Sequence, residues 1–144
     1  LMSTVPAWVV YAAGSAFFAA LTAFFGKLGV AGIPSNLATL IRTAVIFVLT
    51  ALVVAARSEW QAPGAIPRAS WLALVLSGIA SGLSWLCYYR ALQLGPVSMV
   101  APVDKLSVAI AILLGVFVLG EQLTWQLALG SCLIVAGTII IILL

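Results

Sequence analysis

Histidine is absent, and charge is nearly so: six basic and three acidic side chains are spread over 144 residues. Without histidine, hydrolytic catalysis loses its commonest general base. The sequence also lacks a nucleophile–base pair, a cluster with metal-ligand spacing and a glycine-rich phosphate loop. No catalytic residue, metal or cofactor is therefore expected, and an enzyme is the least expected class. A net charge of +3 carried by so few residues is too sparse for a nucleic-acid footprint. Cysteine is limited to Cys87 and Cys132. Both lie in apolar runs, where they pack as small hydrophobes more readily than they bridge.

Apolar surface is what remains. Hydrophobic residues make up 65% of the chain, and the mean hydropathy is +1.33. A soluble domain of this length cannot hide so much apolar surface. A bilayer core of roughly 30 Å needs about 20 residues of helix. Five runs meet that length, at residues 5–26, 35–56, 71–92, 97–119 and 123–144. They are continuous rather than alternating, so they read as helices and not barrel strands. The expected fold is all-α: a polytopic membrane protein with a bundle of five transmembrane helices, and one domain over residues 1–144. The first run lacks a basic flank and is too long for a signal-peptide core, so no removable signal peptide is expected.

Five spans place the two ends of the chain on opposite sides, here A for the first and B for the second. Trp8, Trp60, Trp71 and Trp125 all fall at surface A, where indoles favour the interface. The loop cations are Arg57 and Arg68 on side A, and Lys27 and Arg90 on side B. With that tie, the positive-inside rule selects neither orientation, and a balanced chain can insert both ways round. Lys27 and Arg90 are expected to snorkel to the surface. Glu121 is expected to make a helix-end or loop contact.

Three charges lie inside spans. A charge at the centre of a span costs roughly 2.5–3.5 kcal/mol on insertion scales, so it marks a pathway or a pairing site. Arg42 lies about seven residues into the second span, roughly 10 Å deep from side B. Asp104 lies at a similar depth in the fourth span, with Lys105 beside it. Asp104 is expected to pair with Arg42 or with Lys105. The pair is either a strut that sets helix register or part of a binding site. Asn36, Thr39, Arg42 and Thr43 share one helical face. Gly78, Ser81, Gly82, Trp85 and Tyr89 share another, with Trp85 and Tyr89 as an aromatic wall. Gly78 and Gly82 suit close helix packing. Asp104 and Ser107, and Tyr11 and Ser15, form two further polar strips. Together the strips imply a cavity lined by spans one to four. Pro102 either kinks the fourth span beside Asp104 or sits harmlessly in its first turn.

The last two spans carry a pattern: Ala91-Leu92-x-x-Gly95-Pro96-x-Ser98-x-Val100-Ala101-Pro102, then Leu119-Gly120-Glu121-x-Leu123-Thr124, then Leu129-Gly130-x-x-Leu133-Ile134-x-x-Gly137. The order and spacing resemble the EamA domain of the drug/metabolite transporter superfamily, and the resemblance covers essentially the whole chain. It implies an exporter or facilitator of a small metabolite or drug, located in the inner membrane. Common members carry two such domains in inverted orientation, and this chain carries one. Inverted repeats place the substrate site near the midplane between halves. A single copy reproduces that arrangement only as an antiparallel homodimer. Gly130 and Gly137 are similar to the dimerisation stripe of the small multidrug resistance proteins, and their spacing puts both on one face. Those proteins use an unpaired first-span glutamate as proton carrier, and the first span here has no acid.

The expected function is alternating-access transport of a small polar or zwitterionic metabolite. The expected partners are that substrate, the lipid bilayer and a second copy of the chain. Arg42 and Lys105 would attract an anionic group. Asp104 would hold them or receive an ammonium. Trp85 and Tyr89 would supply a stacking surface, flanked by Ser81 and Tyr11. Two alternatives stay open: a proton-coupled multidrug exporter using Asp104, and a non-transporting subunit of a heteromeric membrane complex.

Overall fold

A computed structural model describes residues 6–143, so Val5 and Leu144, at the outer ends of the first and last expected spans, lie outside the described residues. The described residues form helices joined by turns, with no strand among them. The helices are α1 (Ala7–Gly29), α2 (Ser35–Ala56), α3 (Arg68–Leu94), α4 (Val97–Asp104), α5 (Leu106–Val118) and α6 (Trp125–Ile142), with a 3-10 turn at Pro63–Ala65 between α2 and α3. Taken with α4 and α5 as one crossing, five helices are long and apolar enough to span a membrane.

The helix ends follow from local chemistry. Glycine at position 32, with φ +79°, takes the left-handed turn that stops α1. Pro34 and Pro96 stand at the N-caps of α2 and α4, where a missing N–H costs nothing. The Thr124 side chain accepts a hydrogen bond from the Leu127 amide at 3.3 Å and caps α6. The Trp71 indole donates to the Pro63 carbonyl at 3.2 Å, tying the one long loop to the start of α3.

The chain divides into two compact units. Phe25–Leu94 forms the first, in which α2 packs against α3. Val30, Ala38, Tyr89 and Leu92 are its buried apolar side chains. Gly26 is a point of close approach there: a Cβ would stand 3.3 Å from both Leu92 Cδ1 and the Tyr89 hydroxyl.

Residues 1–24 with Gly95–Leu144 form the second unit, in which α4, α5 and α6 pack together. The fourth span is not the continuous helix expected from its sequence. It breaks at Lys105, whose amide bonds to the Pro102 carbonyl at 3.0 Å, a tight three-residue turn. The Thr138 hydroxyl of α6 donates to the same carbonyl at 3.3 Å. A carbonyl beside a proline break thus finds a partner inside the protein, as hydrocarbon requires. After α5 the chain turns through Gly120, φ +72°. The Glu121 amide then reaches back to the Gly115 carbonyl at 3.0 Å. A Cβ at Gly115 would meet the Glu121 carboxylate, so Glu121 makes the helix-end contact expected of it.

Most apolar side chains of the spans are exposed, including Leu40, Phe47, Leu74 and Phe117. In a lipid solvent this is ordinary, because acyl chains replace the protein core around a span.

Candidate functional site

Arg42 is the centre of the polar arrangement in the Phe25–Leu94 unit. Its position two turns into α2 sets it against α3, where Trp85 and Tyr89 occupy consecutive turns of one face. The guanidinium carbon stands 3.4 Å from the centroid of the Trp85 ring and 5.8 Å from that of Tyr89. The first distance is a full stacking contact, and a cation–π contact away from water is worth about 2 kcal/mol. The rings support each other edge to face, with centroids 5.9 Å apart for Trp85 and Tyr89 and 5.4 Å for Trp85 and Tyr88. Tyr89 is buried and fixed against Gly26, so the wall is rigid.

Stacking uses the face of the guanidinium and leaves its edge. Arg has five N–H donors in a planar fork. Among the described residues of this unit, none accepts a hydrogen bond from them. Thr39 and Thr43, on the same face of α2, turn their hydroxyls to the carbonyls of Ser35 and Thr39 at 3.0 and 2.8 Å. They line the helix rather than bind Arg42. The arrangement therefore offers a fixed cation with a free donor edge and an aromatic surface beside it.

The other expected site residues are placed separately. Asp104 and Lys105 form an ion pair at 3.4 Å, at the break between α4 and α5 and partly exposed. This is one of the two pairings expected for Asp104. Ser81 lies one turn before Trp85 on α3 and is exposed. Tyr11, on α1, is 81% exposed. A Cβ added at Gly78, Gly82, Gly130 or Gly137 would meet nothing within 4 Å, so these small-residue strips stand open.

Two polar residues of this unit escaped the sequence reading. Gln93 Nε2 donates to the carbonyls of Val30 and Ile33, at 3.1 and 2.7 Å. Its Oε1 accepts from Arg90 at 3.0 Å. Lys27 does not simply snorkel outward, because its ammonium donates to the Leu92 carbonyl. The pair clamps the loop after α1 onto the end of α3. The available signal was slight: a glutamine one turn after Tyr89, just ahead of a Gly-Pro turn.

Comparison with known proteins agrees with the apolar architecture. The model of a family described as EamA-like transporters matches residues 6–143. A relative from Sinorhizobium sp, named "Uncharacterized transporter in cobO 3'region", is 52% identical over 134 residues, which cover 93% of this chain and 95% of the relative. No solved structure matches.

Proposed function

The chain belongs to the EamA-like transporter family, and from that premise we propose that it moves a zwitterionic or anionic metabolite bearing an apolar group. The carrying observation is Arg42, stacked at 3.4 Å on Trp85 with its donor edge free within its unit. Unmet donors of a charged group inside a span are costly, and a carboxylate meets them bidentately. Trp85 and Tyr89 then face the apolar part of the substrate. Asp104 and Lys105 stand paired at the α4–α5 break, where they suit the ends of a zwitterion. Ser81 and Tyr11 complete the proposed lining.

Transport by alternating access requires two related halves around one site. We assign the second half to another copy inserted the opposite way, giving an antiparallel homodimer in the inner membrane. Three features support this reading. The loop cations of the chain balance, the relative named as a transporter is of nearly the same length, and the open glycine face at Gly130 and Gly137 allows close approach of a second helix.

The test is a substrate screen on purified protein. Free amino acids, small carboxylic acids and lipophilic cations are compared for thermal stabilisation, then for uptake into proteoliposomes. A carboxylate-bearing compound with an apolar side should stabilise the wild type. Arg42→Ala should assemble as the wild type does, yet lose at least about tenfold in apparent affinity, or roughly 1.4 kcal/mol. Stabilisation by lipophilic cations alone would transfer the role to Asp104 and a multidrug exporter. Normal transport by Arg42→Ala would remove Arg42 from the site.

A further inference from the structure

A cavity of about 420 Å³ opens at the B-side end of the Phe25–Leu94 unit, lined by Pro34, Ser35, Asn36, Arg90 and Gln93. Its volume falls within the range of small-ligand sites. Arg42 does not line it, so the proposed transport site does not account for it.

Four observations give the cavity one chemical character. First, α2 begins there with Pro34 at its N-cap and no side-chain cap. The Ser35, Asn36 and Leu37 amides therefore have no intrahelical acceptor, and the positive end of the helix dipole adds to them. Second, the Arg90 guanidinium lines the cavity and is oriented by Gln93 Oε1 at 3.0 Å. Third, Ser35 is 7% exposed and lines the cavity. Its hydroxyl has no hydrogen-bond partner among the described residues, although no side-chain oxygen or nitrogen sealed away from solvent is left unsatisfied. The hydroxyl is therefore a buried donor that opens only into the cavity. Fourth, no carboxylate lines the cavity. The opposing negative end of α3 is blunted where Lys27 takes the Leu92 carbonyl.

A second cavity of about 410 Å³ abuts the first, sharing Arg90 and Gln93 and adding Lys27. Two cations thus stand around the same end of the unit.

We propose that the cleft formed by the first turn of α2, Ser35, Asn36 and Arg90 binds a phosphate group at the membrane surface. The helix amides and the Ser35 hydroxyl would donate to its oxygens, and Arg90 would supply the fork. The position, at the ends of two spans, suits the phosphate of a lipid headgroup. A free or small-molecule phosphate offers the same oxygens.

The thermal transition of the purified protein in maltoside detergent tests this. Three probes are compared at constant ionic strength: phosphatidylglycerol, inorganic phosphate and a galactosyl diacylglycerol that lacks phosphate. We expect phosphatidylglycerol or inorganic phosphate to raise the transition by several degrees, and the galactolipid not to. A response to the lipid alone identifies a headgroup site. A response to inorganic phosphate identifies a site for free phosphate groups.

Arg90→Gln should abolish the response. Asn36→Asp provides a second variant that guards against misfolding. An acid in the first turn favours the helix, so this protein should be at least as stable without phosphate, yet it should lose the response by repelling the anion. Equal stabilisation by the galactolipid, no response to either phosphate, or a full response in both variants would overturn the proposal.

Discussion

Arg42 divides its guanidinium between two tasks. Its face is held by Trp85 and its edge is left for a ligand. Asp104 is committed to Lys105 instead. If that pair only shapes the site, Asp104→Asn should still transport, with a flux independent of an imposed pH gradient. Uptake that depends on the gradient in the wild type and loses that dependence in Asp104→Asn would make Asp104 a proton carrier. The trio Arg42, Trp85 and Tyr89 was legible in the sequence because two rules converge on it. A lone charge in an apolar run is conspicuous, and rings four residues apart share a helix face. Gln93 and Lys27 were not legible. Their hydrogen bonds cross about sixty residues to backbone carbonyls, and no local pattern reports such a partner. Gln93→Leu would strip both Val30 and Ile33 carbonyls of a donor, at about 1–3 kcal/mol for the unmet groups. A lowered thermal transition with unchanged helix content would confirm that clamp, and an unchanged transition would dismiss it.

Among elements, the five crossings were legible from length and hydropathy, since nothing but a helix can satisfy the backbone of such continuous apolar runs in lipid. Their ends shifted by a few residues wherever a cap or clamp decided the matter. Lys27 was expected to close the first span, yet α1 continues to Gly29, because the ammonium finds the Leu92 carbonyl and the left-handed Gly32 follows. The fourth span hid a break that hydropathy cannot register. Its cause is specific: the Pro102 carbonyl is shared between the Lys105 amide and the Thr138 hydroxyl. At the end of α2, Ser58 adopts φ +55°, a left-handed conformation that glycine adopts without strain. Ser58→Gly should therefore stabilise the protein by about 1 kcal/mol. A rise in the thermal transition would bear this out, and a fall would mean that the serine side chain has a partner worth more than the strain.

For the whole molecule, the balance of charge matters more than its amount. In the Phe25–Leu94 unit, Arg57 and Arg68 stand at one end and Lys27 and Arg90 at the other. Arg57 also pairs with Glu59 at 2.8 Å. Acidic residues contribute little to the orientation rule, so the pair leaves the tie in place. Equal counts give the insertion machinery no reason to choose. An even choice is what an antiparallel pair of identical chains needs. The sequence made this balance visible but could not display its consequence, because orientation is a property of the chain in a membrane.

Orientation in native membranes is accordingly the most direct test of the antiparallel transporter. A reporter cysteine at Ala62, in the loop between α2 and α3, would be introduced with Cys87 and Cys132 replaced. It would be labelled by an impermeant maleimide before and after permeabilisation. About half of the chains labelled from each side is the predicted result. Labelling from one side alone would contradict it and require a partner chain of opposite topology.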